Sequence, residues 1–127
     1  MIHTSDSKKT ILVVDDTPDN LALIFALLNP YYKVKIANSG EKALQLITQG
    51  ERPDLILLDI MMPGMDGYQV LSHIKAMQDA ELLPVIFLTA MNSNEDEEKG
   101  LQLGAVDYIT KPISPPLLLA RVKNHLQ

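Results

Sequence analysis

An unbroken aliphatic run that ends on a carboxylate constrains the fold of this chain most strongly. Residues Leu55–Leu58 are all aliphatic, Asp59 follows them directly, and Pro63-Gly64 then starts a turn. Such a run is typical of a strand buried on both faces of a parallel sheet, although a buried helix can have the same composition. The turn favours the strand. Because ligands bind at the carboxyl ends of parallel strands, Asp59 is a candidate functional residue, with capping of the next turn as the alternative.

Further strand patterns recur along the chain and alternate with helical patterns; most are apolar runs, whereas the second alternates apolar with basic residues. The five expected strands are Thr10–Val14, Tyr32–Ala37, Asp54–Leu58, Leu83–Thr89 and Val106–Thr110. Apolar residues at helical spacing follow each of them, behind cap signals such as Ser39-Gly40. Strands that alternate with helices through short links predict a three-layer α/β sandwich around a parallel sheet. With five strands, we expect the flavodoxin-like, doubly wound (βα)5 topology with strand order 2-1-3-4-5.

The first and fourth helices carry more detailed signals. Thr17-Pro18 offers an N-cap followed by proline at the first helical position. The apolar residues of the first helix that recur at helical spacing are Leu21, Ile24, Phe25 and Leu28. In the fourth helix, Gly100 and Gly104 each cost roughly 1 kcal/mol relative to alanine. That helix is therefore expected to be weak and able to move.

Length and composition limit the class of protein. The chain has 127 residues, enough for one domain and too few for two. Residues 1–9 are expected to form a flexible lead and residues 10–127 the folded domain. A net charge of -5 argues against direct nucleic-acid binding, and the absence of cysteine excludes disulfides and thiolate zinc sites. Without a signal peptide or a stretch long enough to cross a bilayer, we expect a cytoplasmic protein that does not contact membranes.

Polar residues at four expected strand ends would meet at one edge of the sheet. Asp15 and Asp16 follow the first strand, Asp59 the third, Thr89 ends the fourth and Lys111 follows the fifth. Two carboxylates about 4 Å apart repel each other by roughly 4 kcal/mol at an effective dielectric near 20, so three of them need a cation. Oxygen ligands favour Mg²⁺ or Mn²⁺ over zinc.

A nucleophilic carboxylate, a divalent metal, a lysine and a hydroxyl together match phosphoryl transfer to an aspartate. Taken singly, each residue has a plainer interpretation. A threonine at a strand end is usually a β-former, a lysine before proline is usually a solvated loop residue, and paired acids can cap a helix. Four independent features on one edge are much harder to explain in that way.

Four segments resemble a known family in its motif order. The segments Val13–Asp16, Leu58–Gly67, Leu88–Ala90 and Gly104–Pro112 closely resemble the receiver domain of two-component response regulators, of the chemotaxis-regulator type. The resemblance runs from about Thr10 to the end of the chain. It implies that this chain accepts a phosphoryl group from a sensor histidine kinase or a phosphotransfer protein and then changes conformation.

The resemblance also implies a role for each site residue. Asp59 would be the phosphoacceptor. Asp16, Asp59 and the carbonyl of Met61 would bind Mg²⁺ directly, and Asp15 would act through metal-bound water. The residues that would respond to the phosphoryl group are Lys111, which pairs with it, Thr89, which turns in to bond it, and Tyr108, which swings from exposed to buried. Family members also carry a cis peptide bond at the position of Lys111-Pro112.

By the same resemblance, the chain is a signalling switch and not an enzyme, although it assists its own phosphorylation and dephosphorylation. Its output would go to an output domain or a partner protein. A homodimer through the fourth helix, fifth strand and fifth helix is one expected arrangement. Relatives that dimerise there commonly carry charged residues at the positions of Pro116-Leu117. The absence of charge at these two positions indicates either a more apolar dimer interface or a single exposed leucine with no partner function.

Two methionines flank the expected site. Met61 and Met91 are bulky and apolar, and as a hypothesis they restrict attacking water and lengthen the phosphorylated lifetime. Gap filling is the alternative for each.

Three other functions share parts of this pattern. A haloacid-dehalogenase-like Mg²⁺-dependent phosphohydrolase also uses an aspartyl nucleophile, but it usually has a second acid two residues later, where this chain has Met61. A flavin carrier would need a phosphate loop after the first strand, where Asp15-Asp16 would repel phosphate. A pure interaction module would be expected to lack one of the site residues.

Overall fold

The computed structural model describes residues 8–50, 52–77, 83–90 and 94–126, in which five strands alternate with five helices. The strands are β1 (Thr10–Val14), β2 (Lys33–Ala37), β3 (Leu55–Asp59), β4 (Val85–Thr89) and β5 (Asp107–Thr110). The helices are α1 (Pro18–Leu28), α2 (Gly40–Thr48), α3 (Gly67–Ala76), α4 (Asn94–Gln102) and α5 (Pro115–Leu126).

The strands form one parallel sheet in the order β2-β1-β3-β4-β5. The predicted topology is therefore confirmed. Val14 pairs with Leu58 on the neighbouring strand, and Asp59 pairs with Leu88. This register brings the carboxyl ends of β1, β3 and β4 side by side, which places the residues that follow them at one edge of the sheet.

Alternate residues of the central strands fill two cores, one on each face of the sheet. On β3, Ile56 and Leu58 pack with residues of α2 and α3, whereas Leu55 and Leu57 pack with residues of α1 and α5. Every residue of β3 and β4 is buried. Helices cover both faces of the sheet, so neither face of a central strand meets water. This explains why the sequences of these strands are continuously aliphatic.

Helix termini are fixed by side chains and by glycine. The hydroxyl of Ser39 accepts the Lys42 N–H at the start of α2. At the start of α3, Asp66 and Gln69 form a reciprocal capping box, with hydrogen bonds of 2.9 and 3.0 Å. Gly50 follows α2 with a φ of 92°, as expected for its predicted stop.

Three local features differ from what the sequence patterns suggest. Thr17 is the N-cap residue of α1 and Pro18 begins the helix, as predicted, but the Thr17 side chain makes no capping hydrogen bond. The Thr17 N–H is instead donated to Asp15. Phe25 is 39% exposed because it borders the edge strand β2, beyond which no further strand covers it. Gly104 lies after the end of α4 with a φ of 109°, so it terminates the helix and only Gly100 weakens its interior.

Candidate functional site

Three carboxylates meet at the sheet edge where β1 and β3 end. Asp15, Asp16 and Asp59 each offer one oxygen atom, and these atoms lie within 4.8 Å of one another. Asp15 and Asp59 are buried, whereas Asp16 is exposed to solvent. The predicted acidic cluster therefore exists, with one member open to an incoming ligand.

Lys111 joins this cluster from the loop after β5. Its Nζ lies 3.0 Å from Asp15 Oδ2 and 3.2 Å from Asp59 Oδ1. The backbone N–H of Lys111 donates to the Thr89 carbonyl at 2.7 Å, which ties the lysine to the end of β4. The Lys111-Pro112 peptide bond is cis, as the family resemblance implied. One cation therefore bridges the two buried carboxylates.

Asp15 is held by further donors. Its Oδ1 accepts the Thr17 N–H at 2.9 Å, and its Oδ2 accepts from Asn20 Nδ2 at 3.4 Å as well as from Lys111. Both oxygens are thus engaged within the protein. The sequence analysis did not identify Asn20. Its position in the first turn of α1, four residues after Asp16, was a usable signal.

Burial and charge perturb the ionisation of the site. Burial raises the pKa of Asp59 to about 6, the negative charge of Asp15 adds to this, and Lys111 offsets part of it. Burial would lower the pKa of Lys111, but its bonds to Asp15 and Asp59 outweigh that effect and raise the pKa. Removing a proton from Asp59 is therefore costly without an additional cation.

The loop after β3 continues directly from Asp59. Ile60 and Met62 are buried, and between them Met61 is 72% exposed. The buried neighbours hold the loop on both sides of Met61, whose side chain is open to solvent. Carboxylate oxygens with solvent access on the Asp16 side suit a hard divalent cation such as Mg²⁺.

Thr89 and Tyr108 lie on the side of the site that faces α4. Thr89 is 4% exposed, and Tyr108 is half-buried against the core under α2 and α3. Both line a small cavity of about 10 Å³, which has room for about one water molecule. The remaining residues that line this cavity are Ile60, Phe87, Gly100, Leu101, Ala105 and Asp107.

Two further sequence predictions concern Met91 and the apolar residues of α5. Met91 lies outside the described residues. On α5, Leu118 and Val122 are fully buried, Leu119 and Leu126 pack against the core, and Leu117 is 39% exposed, as the helical spacing indicated.

Comparison with known families assigns this arrangement. The sequence model of the response regulator receiver domain matches residues 11–123, most of the chain. The chain belongs to the response regulator receiver domain family. As a receiver domain, it is the phosphoacceptor and signalling switch of a two-component system. Receiver domains bind Mg²⁺ at an acidic cluster and interact with histidine kinases or phosphotransfer proteins and with output domains.

Two curated relatives cover most of the receiver domain. A protein of Vibrio cholerae named "Probable cyclic di-GMP phosphodiesterase" is 52% identical over 121 residues, which are 95% of this chain and 27% of that protein. Response regulator PleD of Caulobacter vibrioides is 44% identical over 115 residues, which are 90% of this chain and 25% of that protein. The receiver domain thus spans about a quarter of the length of these relatives, and their names describe the whole proteins.

Solved structures agree with the fold of the receiver domain. Chemotaxis protein CheY4 of Vibrio cholerae has a TM-score of 0.87 and 28% identity, over 94% of this chain and 99% of that one. The BeF3-activated receiver domain of DrrB, from Thermotoga maritima, has a TM-score of 0.83 and 36% identity, over 94% and 97%. These matches support the receiver and give no support to the dehalogenase-like alternative. Among the described residues, no helix is long and apolar enough to span a membrane.

Proposed function

We propose that Asp59 is the phosphoacceptor of this receiver domain. The observation that carries the proposal is the position of its carboxylate, which is 3% exposed at the end of β3, beside two acids and 3.2 Å from Lys111 Nζ. Asp15 is fully buried and already holds three donors, and Asp16 is exposed without a bond to Lys111 among the described contacts. Asp15 and Asp59 both contact Lys111, but Thr17 and Asn20 also donate to Asp15, so among the described contacts Asp59 is the buried acid whose carboxylate is less engaged.

Asp16, Asp59 and the backbone carbonyl of Met61 would bind Mg²⁺ directly, and Asp15 would act through a metal-bound water. Mn²⁺ fits the same oxygen donors. The bound ion would neutralise the acids and the phosphoryl oxygens. Because both Asp15 oxygens accept hydrogen bonds within the protein, an indirect role suits this residue better than direct ligation.

The transfer itself requires a deprotonated Asp59. Its carboxylate oxygen attacks the phosphorus of the donor's phosphohistidine, so that a P–O bond forms as the P–N bond breaks and the imidazole leaves. Lys111 lies where it can move from the Asp59 carboxylate to an oxygen of the phosphoryl group. Its second bond, to Asp15, holds the ammonium in place during that change.

Thr89 and Tyr108 would relay the phosphorylated state. Thr89 turns toward the phosphoryl group, and Tyr108 moves further into the space that Thr89 leaves. The cavity between them, of about 10 Å³, is far too small for a tyrosine ring. The ring therefore enters only if α4, which contributes Gly100 and Leu101 to the cavity wall, shifts outward. Phosphorylation is thereby coupled to the outer surface of α4.

The partners follow from this role. A sensor histidine kinase or a phosphotransfer protein supplies the phosphoryl group, and an output domain or partner protein reads the α4 side. The receiver domain occupies residues 10–127, after a lead of residues 1–9. It acts in the cytoplasm and binds neither nucleic acid nor membrane directly. It is a switch rather than an enzyme. Its charge of -5 supports the absence of direct nucleic-acid binding.

A homodimer through α4, β5 and α5 is the proposed assembly. Leu101 of α4, Val106 just before β5 and Leu117 of α5 are 47%, 42% and 39% exposed, so this region offers apolar side chains where a charged interface would need ion pairs. Arg121 of α5 is already paired within the chain, at 3.0 Å from Asp107. Sedimentation of the beryllofluoride-bound protein should show a dimer that Leu117→Glu abolishes; a monomer at all concentrations would contradict this assembly.

Intact-mass spectrometry after treatment with acetyl phosphate and Mg²⁺ tests the phosphoacceptor. We expect one hydroxylamine-labile phosphoryl group on the wild type and none on Asp59→Asn. Asp54→Asn is a matched control, because Asp54 lies at the opposite end of the same strand and is exposed. It should be phosphorylated like the wild type. A wild type without a phosphoryl group would refute the proposal, and steady turnover of many phosphate esters would favour a hydrolase.

A further inference from the structure

Gly67 lies against the backbone that carries the phosphoacceptor. A methyl group on its Cα would lie 2.8 Å from Ile60 Cα and 3.1 Å from the Asp59 carbonyl carbon, and closer still to the Asp59 carbonyl oxygen. The N–H of Gly67 also donates to the Ile60 carbonyl at 2.8 Å. The first residue of α3 therefore touches the end of β3 directly, backbone to backbone.

Space, and not backbone conformation, requires glycine at this position. Gly67 has no positive φ, in contrast to Gly50, Gly64 and Gly104. It occupies the first position of α3, where the capping box of Asp66 already fixes the helix start. Alanine would be acceptable there for the helix itself, because its helix propensity exceeds that of glycine. The three atoms nearest to the added methyl group all belong to the backbone of Asp59 and Ile60.

The displaced atoms belong to the site. A carbon normally approaches another carbon to about 3.5 Å, so a methyl at Gly67 would push the Asp59–Ile60 backbone by roughly 0.7 Å. That backbone carries the Asp59 carboxylate on one side and leads into the Met61 carbonyl on the other. A shift of this size in an oriented site can cost about 100-fold in rate.

We infer that Gly67 is a positioning residue, which sets the Asp59 carboxylate and the Met61 carbonyl at the spacing that one divalent cation requires. Gly67 has this role only if Asp59 and Met61 serve as proposed above. It acts through their backbone and touches neither the metal nor the phosphoryl group itself.

Gly40 offers a matched control. It is the first residue of α2, it is buried, and the hydroxyl of Ser39 caps its helix, as Asp66 caps α3. A methyl group on Gly40 would lie 2.5 Å from Val70 Cγ2 and 3.1 Å from the Met65 carbonyl oxygen. Its severe conflict is with the buried side chain of Val70, and the next is with the Met65 carbonyl, so neither is with the Asp59–Ile60 backbone. Gly40→Ala thus adds the same methyl to the same helix position without displacing the phosphoacceptor.

The test compares wild type, Gly67→Ala and Gly40→Ala by Mg²⁺ titration calorimetry and by the rate of phosphorylation from acetyl phosphate. Circular dichroism first establishes a temperature at which all three are folded. We expect Gly67→Ala to weaken Mg²⁺ binding and slow phosphorylation by about 10- to 100-fold, with Gly40→Ala within about twofold of the wild type. Equal effects of the two substitutions, or a Gly67→Ala protein with wild-type affinity, would overturn the inference.

Failure of the proposed function can be distinguished from failure of this inference, because in that case the wild type itself would not be phosphorylated.

If Gly67→Ala does not fold, hydrogen exchange of the wild-type Gly67 amide replaces the measurements on the variant. Coupling between Mg²⁺ binding and the Gly67–Ile60 contact is reciprocal, so Mg²⁺ should slow exchange of this amide by at least about tenfold, while the Gly40 amide is unchanged. An exchange rate of the Gly67 amide that is the same with and without Mg²⁺ would overturn the inference.

Discussion

Replacement of Asp59 by asparagine should stabilise the metal-free protein. The Asp59 carboxylate is 3% exposed, and burial together with the charge of Asp15 raises its pKa to about 6. At neutral pH the folded state must therefore keep an unfavourable negative charge that the unfolded chain carries freely. Asparagine has nearly the same shape and no charge, so it removes this cost.

The magnitude follows from the pKa. A rise from 3.8 to about 6 corresponds to about 3 kcal/mol at 1.36 kcal/mol per pKa unit. The folded state holds its proton up to about pH 6, whereas the unfolded state releases it near pH 3.8. The contribution of Asp59 to the free energy of unfolding therefore falls as the pH rises between these values. This figure already includes the opposing effect of Lys111, whose Nζ lies 3.2 Å from Asp59 Oδ1.

Urea denaturation of both proteins, with a chelator and at several pH values from 4 to 8, measures this difference. We expect nearly equal stability near pH 4 and a gain for Asp59→Asn that grows to between about 1 and 3 kcal/mol at pH 7. Added Mg²⁺ should stabilise the wild type and have little effect on the variant. A variant that is less stable than the metal-free wild type at pH 7, or a difference independent of pH, would refute this reasoning.

Three further substitutions probe the surroundings of the site. Asn20→Ala removes a donor to Asp15 and should weaken Mg²⁺ binding by about tenfold in calorimetry; unchanged affinity would remove Asn20 from the site. Met61→Asn should shorten the phosphorylated half-life in a phosphate-release assay, because the exposed methionine no longer restricts water; an equal half-life would indicate simple gap filling. Asp107→Asn breaks the ion pair with Arg121 and should lower the free energy of unfolding by about 1 kcal/mol at pH 7. Burial would raise the pKa of Asp107, but its hydrogen-bonding and charged partners hold that pKa below the ordinary value. The loss of stability in the variant should therefore shrink below about pH 4. A loss that persists below that pH would exclude the ion pair as its cause.

Most of the fold could be predicted because its signals are local and redundant. Leu55–Leu58 and the apolar run before Asp15 have no polar residue to place on a solvent face, so both had to be central strands of a covered sheet. Once the order 2-1-3-4-5 followed, the acidic cluster at one edge followed too, because parallel strands bring their carboxyl ends together.

The errors and omissions concern contacts between elements. Phe25 has the helical spacing of a core residue, but its exposure depends on β2 being the last strand of the sheet. Asn20 and Gly67 matter through what lies opposite them, the Asp15 carboxylate and the Asp59 carbonyl. A pattern along one helix shows which residues share a face, but it does not show what that face meets. Gly104 was misplaced for a simpler reason, since a glycine near a helix end can lie inside it or terminate it.

Chemical mapping of the phosphorylated residue tests the central claim most directly. Borohydride reduces an aspartyl phosphate to homoserine, so reduction of the protein after acetyl phosphate and Mg²⁺ treatment marks the acceptor permanently. Peptide mass spectrometry should then find homoserine at position 59 and aspartate at positions 15 and 16, which are its neighbours in the cluster. Homoserine at position 15 or 16, or intact aspartate at position 59 of a phosphorylated protein, would contradict the assignment of Asp59.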